Sequence, residues 1–248
     1  MSANETLLGV CDAALFDLDG VLTPTAEVHM HAWSRMFNES LAARGAQAGS
    51  GNLEPYTEAD YFAHVDGKPR HDGVRDFLAS RAIELPFGDP SDPAEAETVC
   101  GLGNRKNVSF AAVLASDGVR PYPGSVRLLD YLATEGVAVA VVSSSQNADA
   151  VLRAAGLRDR FEVVVDGRLA SAEGLQGKPA PDTYLRAAVA LGVPKERAVV
   201  FEDAVSGTAA GRAGDFGLVV GVDRGVGAQA LLDSGADLVV SDLAEFLP

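Results

Sequence analysis

The sequence predicts an α/β protein in which helices cover both faces of a parallel sheet. Two observations predict this class: short, almost wholly apolar segments recur along the chain, and segments with helical periodicity separate them. The first apolar segment, Ala13 to Phe16, ends directly at Asp17. We expect it to be a buried strand, followed by later strands of the same character at Val137–Val142, Ala198–Phe201, Leu218–Val222 and Asp237–Val240.

The intervening segments carry the spacing of apolar residues that is typical of amphipathic helices. They predict helices at Ser125–Thr134, Asn147–Ala155, Pro181–Leu191 and Ser206–Ala213.

The stretch from about Thr25 to Ser116 breaks the alternation of strand and helix. It contains helical segments at Glu27–Arg44, at Asp72–Arg81 and from Glu95 past Asn107, but no convincing buried strand. We therefore predict a small helical domain, residues 25–116, inserted into a sheet domain made of residues 1–24 and 117–248.

Composition limits the class of partner. Of 248 residues, 47% are apolar and 22% are charged, as in an ordinary globular protein. The net charge of −15 argues against nucleic acid and anionic membranes as partners. Met1 to Val10 lacks the features of a signal peptide, and Cys11 and Cys100 are too few for a disulfide framework. These features predict a cytoplasmic protein with reduced cysteines, and we expect a monomer.

Polar residues follow the predicted strands, where ligands of open α/β sheets bind. Asp17, Leu18, Asp19 and Gly20 follow the first strand, Ser143 follows the second, and Glu202 and Asp203 follow a third. Lys178, between Gly177 and Pro179, precedes a helix. We expect carboxylates, a hydroxyl and a lysine to gather at one edge of the sheet.

These side chains suit phosphoryl transfer. Asp17, Glu202 and Asp203 offer the hard oxygen ligands that Mg²⁺ prefers. Asp17 can attack phosphorus and hold the group covalently, while Asp19 exchanges a proton with the leaving or attacking oxygen. Ser143 and Lys178 would hold the phosphoryl oxygens.

Each motif alone also has an ordinary structural interpretation. Asp-x-Asp-Gly is common in turns, serines after a strand commonly cap a helix, and acids commonly begin one. Their combination in one order within one sheet pattern favours a site. Other sites lack their sequence marks: the chain has no Gly-x-Gly-x-x-Gly after the first strand, no Gly-x-Ser-x-Gly, no Walker loop and no zinc-binding histidine pair.

The motifs at Asp17–Val21, Ser143, Lys178 and Glu202–Asp203 resemble those of the haloacid dehalogenase superfamily in order and spacing. The resemblance implies a Rossmann-like core with an α-helical cap domain inserted after the first motif. It also implies that Asp17 is the nucleophile and Asp19 the acid/base. Mg²⁺ would bind Asp17, the backbone carbonyl of Asp19, and Asp203, with Glu202 near the metal or bound to it.

Further residues mark the predicted helical domain and the loop after the second strand: Thr25, His29 and Trp33, Gly67 and Arg70, Lys106 and Asn107, and Ser143–Asn147. In these residues the chain is similar to the β-phosphoglucomutase-like subfamily of that superfamily. The similarity implies that Arg70 grips the phosphate that is not being transferred, and that His29 and Lys106 lie over the reacting centre when the cap closes. Considered singly, Arg70 and Lys106 could be solvated cations, His29 an ordinary helix residue and Trp33 a core residue. The residues that carry the similarity, and that it implies bind substrate, are Thr25, His29, Gly67, Arg70, Lys106, Asn107, Ser144, Ser145 and Asn147.

Two positions depart from the pattern of that subfamily. Pro24 stands where its mutases have an acid, and Gln146 stands where a lysine commonly helps to bind phosphate. Gln146 removes one cation from the distal phosphate site and leaves the choice of sugar phosphate open.

The resemblance implies a phosphosugar mutase that interconverts β-glucose 1-phosphate and glucose 6-phosphate through a phosphoryl-aspartate and a bisphosphate. The partner would be a small phosphorylated sugar. Two alternatives stay open: a phosphatase with the same Asp17 intermediate, and a non-catalytic phosphosugar-binding protein. Arg70, Lys106 and Asn147 favour the mutase, because a hydrolase needs no second phosphate site.

Overall fold

The computed structural model describes residue 9, residues 11–45 and residues 52–248. The expectation of no signal peptide at Met1 to Val10 therefore lies almost wholly outside the described residues. The chain forms two compact units, residues 1–25 with 119–248 and residues 26–118. Nowhere in the described ranges is a helix both long and apolar enough to cross a membrane.

A six-stranded parallel sheet forms the centre of the first unit, with the strand order β3-β2-β1-β4-β5-β6. This confirms the α/β class that the alternating pattern predicts. The strands are β1 (Ala13–Phe16), β2 (Ala138–Val142), β3 (Val163–Val165), β4 (Ala198–Glu202), β5 (Leu218–Val222) and β6 (Leu238–Val240).

Strand β1 lies at the point where the order of strands reverses. Ala13 is opposite Ala138 of β2 on one side and Ala198 of β4 on the other. Successive strands then add outward from β2 on one side and from β4 on the other. The carboxyl ends of β1 and β4 therefore flank a topological switch point, where open sheets of this kind bind ligands.

The second unit is helical, and no strand occurs among its described residues. Its core is built on aromatic side chains, with Phe37 stacked on Trp33 and Tyr56 and also in contact with Phe77. Its helices are α1 (Thr25–Gly45), which starts in the first unit, α2 (Glu58–Asp60), which continues as a π-helical turn (Tyr61–Val65), α3 (Arg70–Ser80) and α4 (Val99–Asp117).

The remaining helices belong to the first unit. All residues of β1, β4 and β5 are buried, as expected for parallel strands with both faces covered. On one face, Tyr184 and Ala187 pack against the strands. The helices are α5 (Pro123–Thr134), α6 (Ala148–Ala154), α7 (Gly167–Glu173), α8 (Asp182–Leu191), α9 (Val205–Ala213) and α10 (Ala228–Ser234).

Several elements differ from the sequence-based prediction. Strand β3 and helices α7 and α10 were not predicted, because each is short and carries little periodicity. Helix α4 begins at Val99 rather than Glu95, because the Thr98 hydroxyl accepts the Gly101 N–H at 2.9 Å and caps the helix there. Glu202 is the last residue of β4 and pairs with Gly221, so the strand extends one residue beyond Phe201.

Candidate active site

The turn after β1 places Asp17 and Asp19 at the switch point. Asp17 continues the sheet, since its N–H donates to Phe201 O at 2.9 Å. Gly20 then adopts φ +85°, a conformation that favours glycine, and donates to Thr23 O at 2.7 Å. Ser143, which follows β2, donates from its hydroxyl to Asp19 Oδ2 at 3.5 Å. The Asp-x-Asp-Gly segment thus forms a turn, with Gly20 in the conformation that favours glycine.

Gly20 also lies directly against Asp203. A Cβ atom at position 20 would stand 1.7 Å from Asp203 Oδ2 and 2.4 Å from Asp203 Cγ. The glycine therefore lets a carboxylate from the end of β4 approach the backbone of the turn after β1.

Three carboxylates converge where β1 and β4 end. Asp17, Glu202 and Asp203 each offer an oxygen, and the three atoms lie within 4.8 Å of one another. All three residues are buried. Hard oxygen donors at this spacing fit a divalent cation such as Mg²⁺, and a cation would relieve their mutual repulsion.

Lys178 lies among these anions and is 3% exposed. Its Nζ donates to Asp17 Oδ1, contacts Glu202 Oε1 at 2.5 Å and donates to Val142 O at 3.2 Å. Burial by itself would lower the pKa of Lys178, but the carboxylates of Asp17 and Glu202 outweigh burial and raise that pKa. Lys178 is therefore a fixed cation beside Asp17.

The ionised form of Asp17 is disfavoured in this buried site among other carboxylates. Burial is the largest cause that raises its pKa well above the ordinary 3.8, and the anions Glu202 and Asp19 raise it further. Lys178 acts in the opposite direction but does not cancel them. One lysine thus faces several carboxylates.

The loop after β2 is folded by its own hydroxyl groups. The Ser145 N–H donates to Ser143 Oγ, and the Asn147 N–H donates to Ser145 Oγ, both at 3.1 Å. A Cβ at Gly167 would stand 2.6 Å from Ser144 O, so the start of α7 packs closely against this loop. Ser144 and Asn147, predicted to bind substrate, lie on this loop, partly exposed.

Thr25 is joined to the acid/base candidate. Its hydroxyl donates to Asp19 Oδ1 and contacts the Thr23 hydroxyl at 2.7 Å. Thr25 is 1% exposed, and Thr23 is fully buried and donates to Leu18 O. Asp19 is thereby held at both of its carboxylate oxygens, by Thr25 and by Ser143.

In the helical unit, Lys106 is a buried cation rather than a solvated one. It is 3% exposed, contacts His29 Nδ1, and lies 4.8 Å from the ring centroid of Trp33 and 5.1 Å from that of Phe110. His29 also stacks on Phe110, with ring centroids 3.9 Å apart. The structure therefore brings His29 and Lys106 together, and Trp33 belongs to the core as well as to this cluster.

Arg70 is the first residue of α3 and is half-buried. Burial lowers its pKa. Its aliphatic stem packs near α4, since a Cβ at Gly103 would stand 3.1 Å from Arg70 Cγ. Gly67, just before it, has φ +69°, and Asn107 follows Lys106 on α4. The substrate-binding roles of Gly67, Arg70 and Asn107 remain predictions.

Two residues outside the predicted motifs contact the site. The Tyr184 hydroxyl, on α8, donates to Glu202 Oε1 at 2.8 Å. Arg224, after β5, donates to Gly20 O and to Ser241 O at 2.9 Å and lies over the Tyr122 ring. Neither residue belongs to a recognisable motif, so only the folded arrangement indicates them.

Residues 11–215 match the family model of haloacid dehalogenase-like hydrolases. The chain belongs to this family. A β-phosphoglucomutase of Mycobacterium tuberculosis is 54% identical over 239 residues, which cover 95% of this chain and 91% of that protein. The resemblance inferred from the four motifs is thereby confirmed.

Solved structures share this fold. A β-phosphoglucomutase from Clostridium difficile superposes with a TM-score of 0.74 at 24% identity, covering 95% of this chain and 92% of that one, and shows the likeness of fold. A CbbY protein from Rhodobacter sphaeroides, solved with xylulose 1,5-bisphosphate, gives a TM-score of 0.69 at 26% identity over 95% and 96% of the two chains.

Proposed function

We propose that this haloacid dehalogenase family enzyme is a phosphosugar mutase that interconverts β-glucose 1-phosphate and glucose 6-phosphate. The observation that carries the proposal is the 54% identity, over nearly the whole chain, to a β-phosphoglucomutase. The arrangement of Asp17, Asp19 and Lys178 at one sheet edge supports it, because these groups supply a nucleophile, a proton carrier and a fixed cation.

Asp17 is the proposed nucleophile. One of its carboxylate oxygens attacks phosphorus, a P–O bond forms, and the P–O bond to the sugar oxygen breaks. Lys178 already donates to Asp17 Oδ1 and would shift to the phosphoryl oxygens as their charge develops. The Ser143 hydroxyl would donate to the same group.

Asp19 is the proposed proton carrier. It gives a proton to the departing sugar oxygen and takes one from the attacking hydroxyl in the second half of the reaction. Thr25 and Ser143 donate to its two carboxylate oxygens, which supports a fixed orientation for that transfer.

We further propose that Asp17, Asp203 and the backbone carbonyl of Asp19 hold Mg²⁺. The carboxylate oxygens of Asp17 and Asp203, which lie within 4.8 Å of each other and of Glu202, support the two carboxylate ligands. Glu202 would lie near the metal. Bound Mg²⁺ would offset negative charge on the phosphoryl group and on the carboxylates.

The distal phosphate group of the bisphosphate would bind Arg70, with Ser144, Ser145 and Asn147 as further candidates. Residues 26–118 would serve as the cap that keeps water from the phosphoryl-aspartate. Thr25, His29, Lys106 and Asn107 would complete the substrate-binding set. Lys106 is buried and contacts His29, which supports a specific role for these two residues over that of solvated surface groups.

The deciding experiment supplies purified protein with β-glucose 1-phosphate, Mg²⁺ and a trace of glucose 1,6-bisphosphate. Glucose 6-phosphate and free phosphate are followed together. Formation of glucose 6-phosphate without release of phosphate is the expected result. Release of phosphate alone would instead assign a sugar-phosphate phosphatase that uses the same Asp17 intermediate, and turnover by the Asp17→Asn variant would argue against either.

A further inference from the structure

Glu202 is enclosed on every side that the structure describes. It is fully buried, and its Oε1 accepts from the Tyr184 hydroxyl at 2.8 Å and pairs with Lys178 Nζ at 2.5 Å. Its Oε2 accepts the Ala204 N–H at 3.2 Å. A Cβ at Gly207 would stand 1.8 Å from Glu202 Oε1, so the carboxylate packs directly on the backbone of α9.

These contacts distinguish Glu202 from its neighbour Asp203. A carboxylate oxygen has room for about two close donors, and Oε1 of Glu202 already has two. Tyr184 and Lys178 therefore occupy both acceptor positions of that oxygen. Asp203 instead faces the turn at Gly20.

Tyr184 is held in a matching position. It is fully buried on α8 among the strands, and the centroid of its ring lies 5.1 Å from Lys178 Nζ. Burial, followed by the charges of Glu202 and Asp17, raises the pKa of the tyrosine hydroxyl. The hydroxyl is the donor in its hydrogen bond to Glu202, because a carboxylate oxygen only accepts.

We propose that Tyr184 is a positioning residue, whose hydroxyl holds Glu202 against Lys178 and so fixes the lysine beside Asp17, while Asp17 and Asp203 are left to bind the metal. The inference deepens the proposed function and rests on it. When Asp17 carries the phosphoryl group, Lys178 must follow the new oxygens without leaving Glu202. A Glu202 carboxylate held by Tyr184 keeps the ammonium group of Lys178 close to those oxygens. Without that hydrogen bond, Glu202 and Lys178 would take several positions.

The test compares Tyr184→Phe with Tyr56→Phe. Each variant removes one hydroxyl from a buried tyrosine, and the Tyr56 hydroxyl has no hydrogen-bond partner among the described residues. In Tyr184→Phe we expect kcat to fall roughly 10-fold, the loss usual for an outer hydrogen bond to a charged group. KM for the sugar phosphate and the Mg²⁺ dissociation constant, measured by calorimetry without substrate, should stay within about twofold of wild type. Tyr56→Phe should leave all three constants within the same limits.

Two outcomes would overturn the proposal. Unchanged kcat in Tyr184→Phe would make the hydroxyl merely structural. Mg²⁺ binding that weakens in step with kcat would mean that Tyr184 acts on the metal and that Glu202 is a ligand.

A double-mutant cycle supplies a further check. If Tyr184 acts through Glu202, then Tyr184→Phe should lower kcat by a smaller factor in a Glu202→Gln background than in wild type. An equal loss of kcat in both backgrounds would contradict the proposal.

Should the wild-type enzyme release phosphate rather than isomerise the sugar phosphate, the same comparisons apply to the rate of phosphate release, because Lys178 and Asp17 serve both reactions. Failure of the mutase assignment is thus distinguishable from failure of the role of Tyr184.

Discussion

Asp17 combines a chemical requirement with a cost in stability. A nucleophile must be ionised to attack phosphorus, yet burial and the anions Asp19 and Glu202 oppose its ionisation. Lys178 offsets only part of that opposition. A site arranged for catalysis is therefore expected to weaken the metal-free fold, as is common for functional sites.

Asp17→Asn tests both consequences. A carboxyl group with a higher pKa in the folded than in the unfolded protein binds protons more tightly when folded, so its contribution to stability falls as the pH rises above about 3.8. At neutral pH the metal-free variant should therefore melt above wild type, by about 2–4 °C for each kcal/mol gained. Mutase activity should be lost, because an amide cannot form the phosphoryl intermediate.

Thermal unfolding with a chelator, at neutral pH and near pH 4, checks the stability claim. The difference in melting temperature should shrink toward about pH 4, where both states of wild type become protonated. Asp159→Asn, at an exposed position, is the control for simple loss of a carboxylate. A variant that melts below wild type at neutral pH would show that the pair with Lys178 outweighs burial.

Asp203→Ala tests the proposed metal site. Removal of one hard oxygen ligand should weaken Mg²⁺ binding by roughly 10-fold or more, as measured by calorimetry. Activity at saturating Mg²⁺ should recover in part. Wild-type affinity for Mg²⁺ would mean that the metal binds elsewhere.

At the scale of elements, the turn after β1 should tolerate no side chain at Gly20. Gly20→Ala combines backbone strain at φ +85° with a clash on the Asp203 carboxylate. Gly136→Ala is the matched control, because Gly136 has φ +71° but nothing within 4 Å of the added Cβ. Both variants should lose about 1–3 kcal/mol of stability from strain.

Only Gly20→Ala should also weaken Mg²⁺ binding, by roughly 10-fold, since Asp203 must move. Calorimetric Mg²⁺ titration of both variants, beside urea unfolding, separates strain from displacement. Equal Mg²⁺ affinities in the two variants would argue against the role assigned to this close approach.

The sequence predicts elements well where a pattern is long and local. The apolar run at Ala13–Phe16 becomes β1 without change, and the predicted helix Ser125–Thr134 becomes α5 with two further residues at its start. Strand β3 is only Val163–Val165, and such a short run has no period to detect. Boundaries that depend on a single hydrogen bond, such as the Thr98 cap, are likewise poorly predicted.

The candidate site also contains residues that a local sequence pattern predicts and residues that only packing brings together. Asp17, Asp19 and Ser143 come directly after strands, so parallel pairing alone predicts that they gather. Tyr184 reaches Glu202 from the middle of a helix buried on the sheet. Its partner depends on how α8 packs, which no local pattern specifies.

At the scale of the whole molecule, a net charge of −15 opposes the approach of an anionic sugar phosphate. Binding then depends on a few local cations. The proposed ones are Lys178, fixed at the sheet edge, and Lys106, buried against aromatic rings in the helical unit. Loss of a single such cation should therefore greatly slow the reaction step that uses it and change the rates of the other steps little.

Arg70 is the cation whose loss should separate mutase from hydrolase activity. A mutase must hold the second phosphate of its bisphosphate, and a guanidinium does so with paired, charge-assisted hydrogen bonds. Arg70→Ala should lose about 2–4 kcal/mol of transition-state stabilisation in isomerisation. Arg70→Lys should also be impaired, because lysine lacks the planar fork. Hydrolysis of a small one-phosphate compound should survive in both variants, since it needs no second phosphate site.

The measurement is a pair of rates, isomerisation and hydrolysis, for each variant and for Arg75→Ala. Arg75 lies on the same helix, α3, but is exposed and paired with Asp72 at 2.7 Å, so its removal should change neither rate. If Arg70→Ala lost both rates equally, Arg70 would support the fold or the transfer step itself. If it lost neither rate, Arg70 would be an ordinary helix residue, and the second phosphate would depend on other groups. Selective loss of isomerisation is the result expected if Arg70 holds the second phosphate, because only that reaction reorients a bisphosphate.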